Sequence, residues 1–149
     1  MAKRVDTADF AAFAGIALGV IALFIPWYTY NTATQRIAVN GFRASLLGEV
    51  FFIALALLVL VLLIRYRAVD EGPLPGATED TVYLGVAIAA AAVVLLQLFL
   101  DILAGGRSIG FGLVLAVLSA IALGAAARIR RREYTARSAG RSRIGTGLR

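Results

Sequence analysis

The chain has 149 residues, of which 60 % are hydrophobic and 16 % are charged, with a formal net charge of +6. A soluble domain of this size normally has about 45–50 % apolar and roughly 25 % charged residues, and the mean hydropathy here is +0.85. Because the sequence holds neither Cys nor His, disulfides, thiol nucleophiles, imidazole general bases and zinc or haem bound by those side chains are excluded.

Four apolar windows, numbered 1 to 4 in chain order, span residues 10–27, 46–64, 81–103 and 109–127. A bilayer core of roughly 30 Å needs about 20 helical residues, and a segment in lipid must satisfy its own backbone polar groups. We therefore predict an all-α membrane protein, a four-helix transmembrane bundle over residues 1–127. A cleaved signal peptide is the alternative for window 1, and Asp6 and Asp9 beside its basic start argue against it.

The basic residues predict the orientation. If both termini are cytoplasmic, twelve of the fifteen Lys and Arg residues lie on the cytoplasmic side, as the positive-inside rule requires. The aromatic residues then mark the two interfaces, Trp27, Tyr28 and Tyr30 on the outer side and Tyr66 and Tyr83 on the inner side.

Residues 128–149 carry eight Arg and one Glu, and this composition predicts a basic, disordered cytoplasmic tail. Its simplest role is to hold the end of window 4 in the cytoplasm. The other roles are contact with anionic lipid and docking to an acidic partner or nucleic acid, although no aromatic interleaving supports nucleic-acid recognition. The candidate lipid contacts are Arg128, Arg130, Arg131 and Arg132.

The connections differ in character. The first outer loop holds a β-prone run followed by Asn40-Gly41, which indicates either a small β-hairpin or an irregular loop with one tight turn. Residues 104–108 predict a tight outer turn between windows 3 and 4. Residues 70–80 predict an acidic, turn-rich cytoplasmic connector.

Small residues predict where the helices pack, because helices in lipid approach closely only where side chains are small. The candidate packing positions are Gly15, Gly19, Gly112, Ala116, Ala120 and Gly124. We expect windows 1, 3 and 4 to pack together and the Leu-rich window 2 to show the most surface to lipid. Gly15 and Gly19 also match GxxxG, so a dimer face is the alternative to packing within one chain.

Charged side chains within the windows are the candidate site, because a charge in a membrane segment is costly. Glu49 and Asp101 are the two, and both lie near the outer ends of their windows. With polar neighbours they define a candidate outer polar cluster of Arg43, Glu49, Gln97, Asp101 and Arg107. The cluster is either a binding vestibule for a cation, a lipid headgroup or a partner helix, or a set of interfacial ion pairs.

No catalytic constellation is recognisable in the sequence, and we expect no enzyme activity, cofactor, metal site or nucleic-acid partner. We expect an accessory, scaffold or assembly subunit of the bacterial cell envelope. Its partners would be the bilayer and either another membrane protein or further copies of itself. The alternative is a small homo-oligomeric transporter or channel that uses the outer polar cluster.

A short pattern supports this class. It consists of Ile25-Pro26-Trp27-Tyr28-Thr29, then Asn40-Gly41-Phe42, then an all-aliphatic second helix. It resembles a pattern in small four-helix integral membrane proteins of high-GC actinobacteria, and fourteen Arg against one Lys suits such a genome. The resemblance covers about residues 10–64. It implies a multi-pass protein of the bacterial plasma membrane and carries over no active residues.

Overall fold

Long helices dominate the architecture. The computed structural model describes residues 6–44, 46–66 and 76–145. Of the acidic connector predicted at 70–80, residues 70–75 lie outside these ranges, and residues 76–80 are helical instead of turn-rich. The helices are α1 (Thr7–Phe24), α2 (Gly41–Ala44), α3 (Leu46–Arg65), α4 (Gly76–Ala104) and α5 (Phe111–Gly145). The strands are β1 (Pro26–Asn31), β2 (Arg36–Asn40) and β3 (Arg107–Ile109).

Four helices of the described ranges are long and apolar enough to cross a membrane. The candidate spans are Thr7–Phe24, Leu46–Arg65, Asp80–Ala104 and Phe111–Arg132, which correspond to windows 1 to 4. The prediction of four long apolar helices is therefore confirmed. Their length and hydropathy are compatible with a multi-pass membrane protein.

A three-stranded antiparallel sheet caps one end of the bundle, with strand order β2-β1-β3. The hairpin between β1 and β2 confirms one of the two alternatives for the first loop. Its turn lies at residues 32–35, where the Thr32 amide donates to the Gln35 carbonyl at 2.9 Å. Asn40-Gly41 instead begins α2, because the Asn40 Oδ1 accepts from the Arg43 amide at 3.2 Å.

The third connection contributes a strand to this sheet, which the sequence analysis did not predict. Gly105 and Gly106 have φ of 55° and 74°, a region that side-chain-bearing residues rarely adopt. This turn directs Arg107–Ile109 back along β1. The loop between α4 and α5 is thereby fixed to the first hairpin.

Close backbone approach joins the sheet to the helices. The Gly110 amide donates to the Trp27 carbonyl at 2.7 Å, and a Cβ at Gly112 would overlap the Ile25 carbonyl oxygen. Trp27 is fully buried, and its indole N–H donates to the Ala22 carbonyl at 2.8 Å. The Trp27 ring therefore fills the core below the sheet and does not face outward as an interfacial side chain would.

Small residues bring α1 against α5, the most extensive helix pair of the described chain. The Ser119 hydroxyl donates to the Gly15 carbonyl at 2.6 Å, and a Cβ at Gly15 would lie 2.8 Å from Leu123. Ala116 is fully buried and Ala120 is partly buried. Gly15 and Gly19 thus serve packing within one chain, and α5 lies between α1 and α4.

Two packing expectations are corrected. The buried share of the span is 44 % in windows 1 and 2 and 39 % in windows 3 and 4. Window 2 therefore does not show the most surface. Large side chains of α3 fill space left by small residues elsewhere: a Cβ at Gly19 would lie 2.7 Å from Leu55. Gly124 faces no neighbour among the described residues, because it lines an open groove between α4 and α5.

The disorder expected for the tail at 128–149 is corrected for residues 128–145, because α5 continues as one helix to Gly145, and residues 146–149 lie outside the described ranges. Extending an existing helix avoids the cost of nucleation. Arg and Ala are both good helix formers, and they supply much of residues 125–137. Low apolar content excludes a core in this segment without excluding a helix.

Alanine substitution of two glycines tests the backbone contact between α5 and β1. Gly112→Ala places a methyl group against the Ile25 carbonyl and should destabilise the fold by about 1–3 kcal/mol, as overpacking does. Gly85→Ala is the matched control, because a Cβ there meets nothing within 4 Å, and it should stabilise by up to about 1 kcal/mol. SDS titration followed by the single Trp measures both, and equal effects of the two variants would contradict the contact.

Candidate functional site

Polar side chains gather at both ends of the apolar bundle. The sheet end is the end capped by β1, β2 and β3. The opposite end, where α1 begins and α3 ends, is called the termini end. The two assemblies differ in one respect: at the termini end the buried acid is fully bonded, and at the sheet end two acceptors have no partner among the described residues.

At the sheet end, Gln97 and Asp101 lie one turn apart on α4 and are 2 % and 4 % exposed. They continue the buried stripe of that helix, which runs through Tyr83, Ala90 and Val94. The Gln97 Nε2 donates to Asp101 Oδ1 at 3.0 Å. A side-chain pair of this kind is favoured by the i, i+4 spacing.

Arg107 reaches the same carboxylate from β3. Its Nη1 donates to Asp101 Oδ1 at 3.3 Å. Its guanidinium lies over the Tyr28 ring, 4.6 Å from the centroid, in the geometry of a cation–π interaction. The glycine turn at 105–106 and the pairing of β3 with β1 together hold this arginine in place.

These groups adjoin a surface pocket of about 450 Å³, a volume typical of small-ligand sites. Tyr28, Gln97 and Arg107 lie in its wall together with apolar residues of α4. Gln97 Oε1 and Asp101 Oδ2 are buried and lack a hydrogen-bond partner among the described residues. Each such acceptor costs roughly 1–3 kcal/mol when it stays unpaired. Gln97 lines the pocket and its bonded neighbour Asp101 is not among the lining residues, so the unused acceptor next to the pocket is that of Gln97.

The structure brings three of the five predicted cluster residues together. Arg43 and Glu49 are exposed, and within the described ranges neither side chain has a hydrogen bond or ion pair to Gln97, Asp101 or Arg107. The reason is helix phase. Gly48 and Phe51 lie on the buried face of α3, which packs into the bundle. Glu49 lies on a different face of the same helix.

The termini end contains a network that the sequence analysis missed. Asp9 of α1 is fully buried. Its Oδ1 accepts from Arg65 Nη1 at 2.7 Å and from the Tyr83 hydroxyl at 3.1 Å, and its Oδ2 accepts from the Tyr66 hydroxyl at 2.5 Å. We call these residues, with Asp6, Asp80 and Arg130, the Asp9 network.

The remaining members extend the network to α5. Asp6 Oδ2 lies 2.7 Å from Arg65 Nη2 and 3.8 Å from Arg130 Nη1. The Arg130 Nε lies 3.7 Å from Asp80 Oδ1. Arg130 therefore turns inward, with a side chain 11 % exposed, and is unavailable for the predicted lipid contact.

The sequence held a signal for this network. Alternating helices place the start of α1, the end of α3, the start of α4 and the distal half of α5 at one level. Asp9, Arg65 and Tyr83 lie at that level by chain position alone. Asp9 served above as evidence against a signal peptide, Arg65 as one of the cytoplasmic basic residues and Tyr83 as an interface marker. Which carboxylate meets which arginine was therefore not predicted.

Tyr66 acts in the network as a proton donor. Burial, together with the hydrogen bond to Asp9, raises the pKa of Tyr66 to about 12. The hydroxyl therefore keeps its proton throughout the physiological range. Its contribution to stability is complete below the unfolded pKa of 10.0 and is lost as the pH rises through about 12.

The other three arginines predicted to contact lipid differ from Arg130 in their exposure. Arg128, Arg131 and Arg132 are exposed. Arg128 and Arg131 lie at one end of the groove between α4 and α5, which Gly124 also lines. They stay candidates for contact with anionic headgroups.

In the part of the chain that the structure describes, no three acidic side chains come together as ligands. Both carboxylates of the bundle interior are instead bonded by arginine. No family model, curated protein or solved structure matches this chain.

Removing the buried charge tests the Asp9 network. Asp9→Asn leaves Arg65 without its buried partner and should lower the free energy of unfolding by about 3 kcal/mol, the lower end for a broken buried pair. Asp6→Asn is the matched control. The Asp6 side chain is 32 % exposed, so its loss should cost about 1 kcal/mol or less. SDS titration followed by Trp27 fluorescence measures both, and a larger cost for Asp6→Asn would contradict the assignment.

Proposed function

We propose that this protein is an integral membrane protein of the bacterial plasma membrane that serves as a non-catalytic accessory, scaffold or assembly subunit of the cell envelope. Its four long apolar helices would cross the bilayer, with both termini in the cytoplasm. The termini end would then lie on the cytoplasmic side, and the sheet end on the outer side.

One observation carries this proposal: the helices are tied together at both ends. At the termini end, the Asp9 network links α1, α3, α4 and α5. At the sheet end, β1 and β3 pair with each other and hold the connections that follow α1 and α4. A bundle fixed in this way suits a subunit that presents surfaces and does not suit one whose helices separate during a transport cycle.

A second candidate is a small homo-oligomeric transporter or channel. The observation that favours it is the sheet-end pocket, where Gln97 and Asp101 retain free acceptor capacity. A transporter of this kind would need the Asp9 network to break on the opposite side during each cycle. Because breaking a buried ion pair costs about 3–5 kcal/mol, the scaffold role is the better supported of the two.

Single-cysteine labelling tests the orientation, and the chain has no native Cys to interfere. Thr34→Cys lies in the hairpin turn at the sheet end, and Thr135→Cys lies on α5 beyond the termini end; both threonines are exposed. An impermeant thiol reagent applied to intact cells should label the first variant and not the second. Labelling of Thr135→Cys alone would invert the proposed topology.

Intact-mass analysis of the tagged protein, purified in gentle detergent, tests the role. A recurring heteromeric partner, retained equally by unmodified protein and Asp101→Asn, is expected for a scaffold or assembly subunit. A defined homo-oligomer whose ion or solute flux is lost in Asp101→Asn and kept in Glu49→Gln would overturn it in favour of transport. Glu49 is the matched control because its side chain is exposed and belongs to neither polar assembly of the described residues.

A further inference from the structure

The sheet-end pocket combines three chemical features in one place. Its polar wall includes Gln97, whose Oε1 is an unpartnered acceptor within the described chain. Its rim holds the Arg107 guanidinium, on a side chain 35 % exposed. Its apolar wall is formed by Leu100 and Leu103, which are 41 % and 65 % exposed on the outside of the bundle.

The geometry points to this pocket as a binding site for a primary ammonium joined to a phosphate, supplied by the headgroup of an aminophospholipid. The inference rests on the membrane embedding proposed above and is independent of the scaffold role. It assigns the ammonium to the Gln97 acceptor, beside the charge of Asp101, and the phosphate to Arg107.

The acceptors favour an ammonium. The Gln97 amide N–H donates to Asp101 Oδ1. Gln97 Oε1 and Asp101 Oδ2 are then the two acceptors of this side-chain pair that have no partner among the described residues. A primary ammonium offers several N–H donors on one atom, whereas a trimethylated ammonium offers none. A ligand in the pocket that satisfies Gln97 Oε1 therefore needs N–H groups, and it gains from the adjacent Asp101 carboxylate charge.

Arg107 favours a phosphate next to the ammonium. Its Nη1 is used by Asp101, and the guanidinium fork carries further N–H donors that match phosphate oxygens. The stacking on Tyr28 holds the fork at the rim. Gln97 and Arg107 both line the pocket and both bond Asp101, so the cation and anion sites lie close together, which suits a zwitterion with the two charges a few bonds apart.

The surroundings favour a lipid as the source. Asp101 and Arg107 lie at and just beyond the end of the span Asp80–Ala104, the level at which headgroups meet the apolar core. Leu100 and Leu103 continue from the pocket along the exposed face of α4. Acyl chains can follow this face while the headgroup occupies the pocket.

The experiment compares two lipids that differ only at the nitrogen. The full-length protein in nanodiscs of equimolar phosphatidylethanolamine and phosphatidylcholine is released into native mass spectrometry, and the retained lipid is counted. We expect about tenfold enrichment of phosphatidylethanolamine, the effect of one charge-assisted hydrogen bond. Equal retention, without stabilisation of the detergent-solubilised protein by free phosphoethanolamine, overturns the inference.

Variants locate the binding. Gln97→Met keeps the side-chain length and removes the acceptor, so the enrichment should fall to near unity. Arg107→Gln should lower retention of both lipids, because both carry the phosphate. Arg36→Gln is the matched control on β2, where Arg36 bonds only Thr29 among the described residues, and it should change neither. Enrichment that persists in a folded Gln97→Met variant overturns the assignment to this pocket.

Two further arms separate the sources and the assumptions. Stabilisation by millimolar phosphoethanolamine without lipid enrichment supports the pocket chemistry and identifies a soluble zwitterion as the ligand. Alkaline carbonate extraction of membranes tests the embedding on its own. Release of the protein by carbonate would overturn the proposed function, whereas an embedded protein without lipid preference or phosphoethanolamine stabilisation would overturn this inference alone.

Discussion

The buried carboxylate of Asp9 is the constraint on which the arrangement of the helices depends. A charge with no exposed surface is tolerated only when it is paired and hydrogen-bonded. Arg65 and Tyr66 satisfy it from the end of α3, and Tyr83 satisfies it from α4. These bonds require the ends of three helices to lie at one depth and in one rotational setting. Van der Waals packing of aliphatic side chains alone would leave both the depth and the rotation free to vary.

The opposite end of the bundle is organised by backbone contact. Glycines at positions 110 and 112 allow α5 to lie directly against β1, and the Trp27 ring fills the space below. The consequence is a rigid rim on which Arg107 is held beside Tyr28. Among the described residues, the polar groups of the termini end therefore bond one another, whereas the sheet end keeps an unpaired acceptor on Gln97 in the wall of a pocket. This asymmetry is the reason for placing a ligand at the sheet end.

Much of the architecture could be predicted from residue types in order. Length and hydropathy predict four helices because a bilayer-spanning segment must satisfy its own backbone. The hairpin was one of two alternatives for the first loop, and Asn40-Gly41 suggested its turn in the wrong place. Gln97 and Asp101 were recognised as neighbours because four residues make one helical turn. Glu49 was misplaced because the depth of a residue says nothing about the face of the helix on which it lies.

The sequence by itself determined the number of long helices, their approximate limits, and the concentration of positive charge in and beyond α5, since these follow from local composition. Only the tertiary structure decided that α1 packs on α5, that Arg107 belongs to a strand paired with β1, and that Asp9 forms its ion pair with Arg65. Those outcomes join residues far apart in the chain. They depend on which small residue faces which large one and on which donor reaches a buried acceptor, and neither is encoded in any single segment.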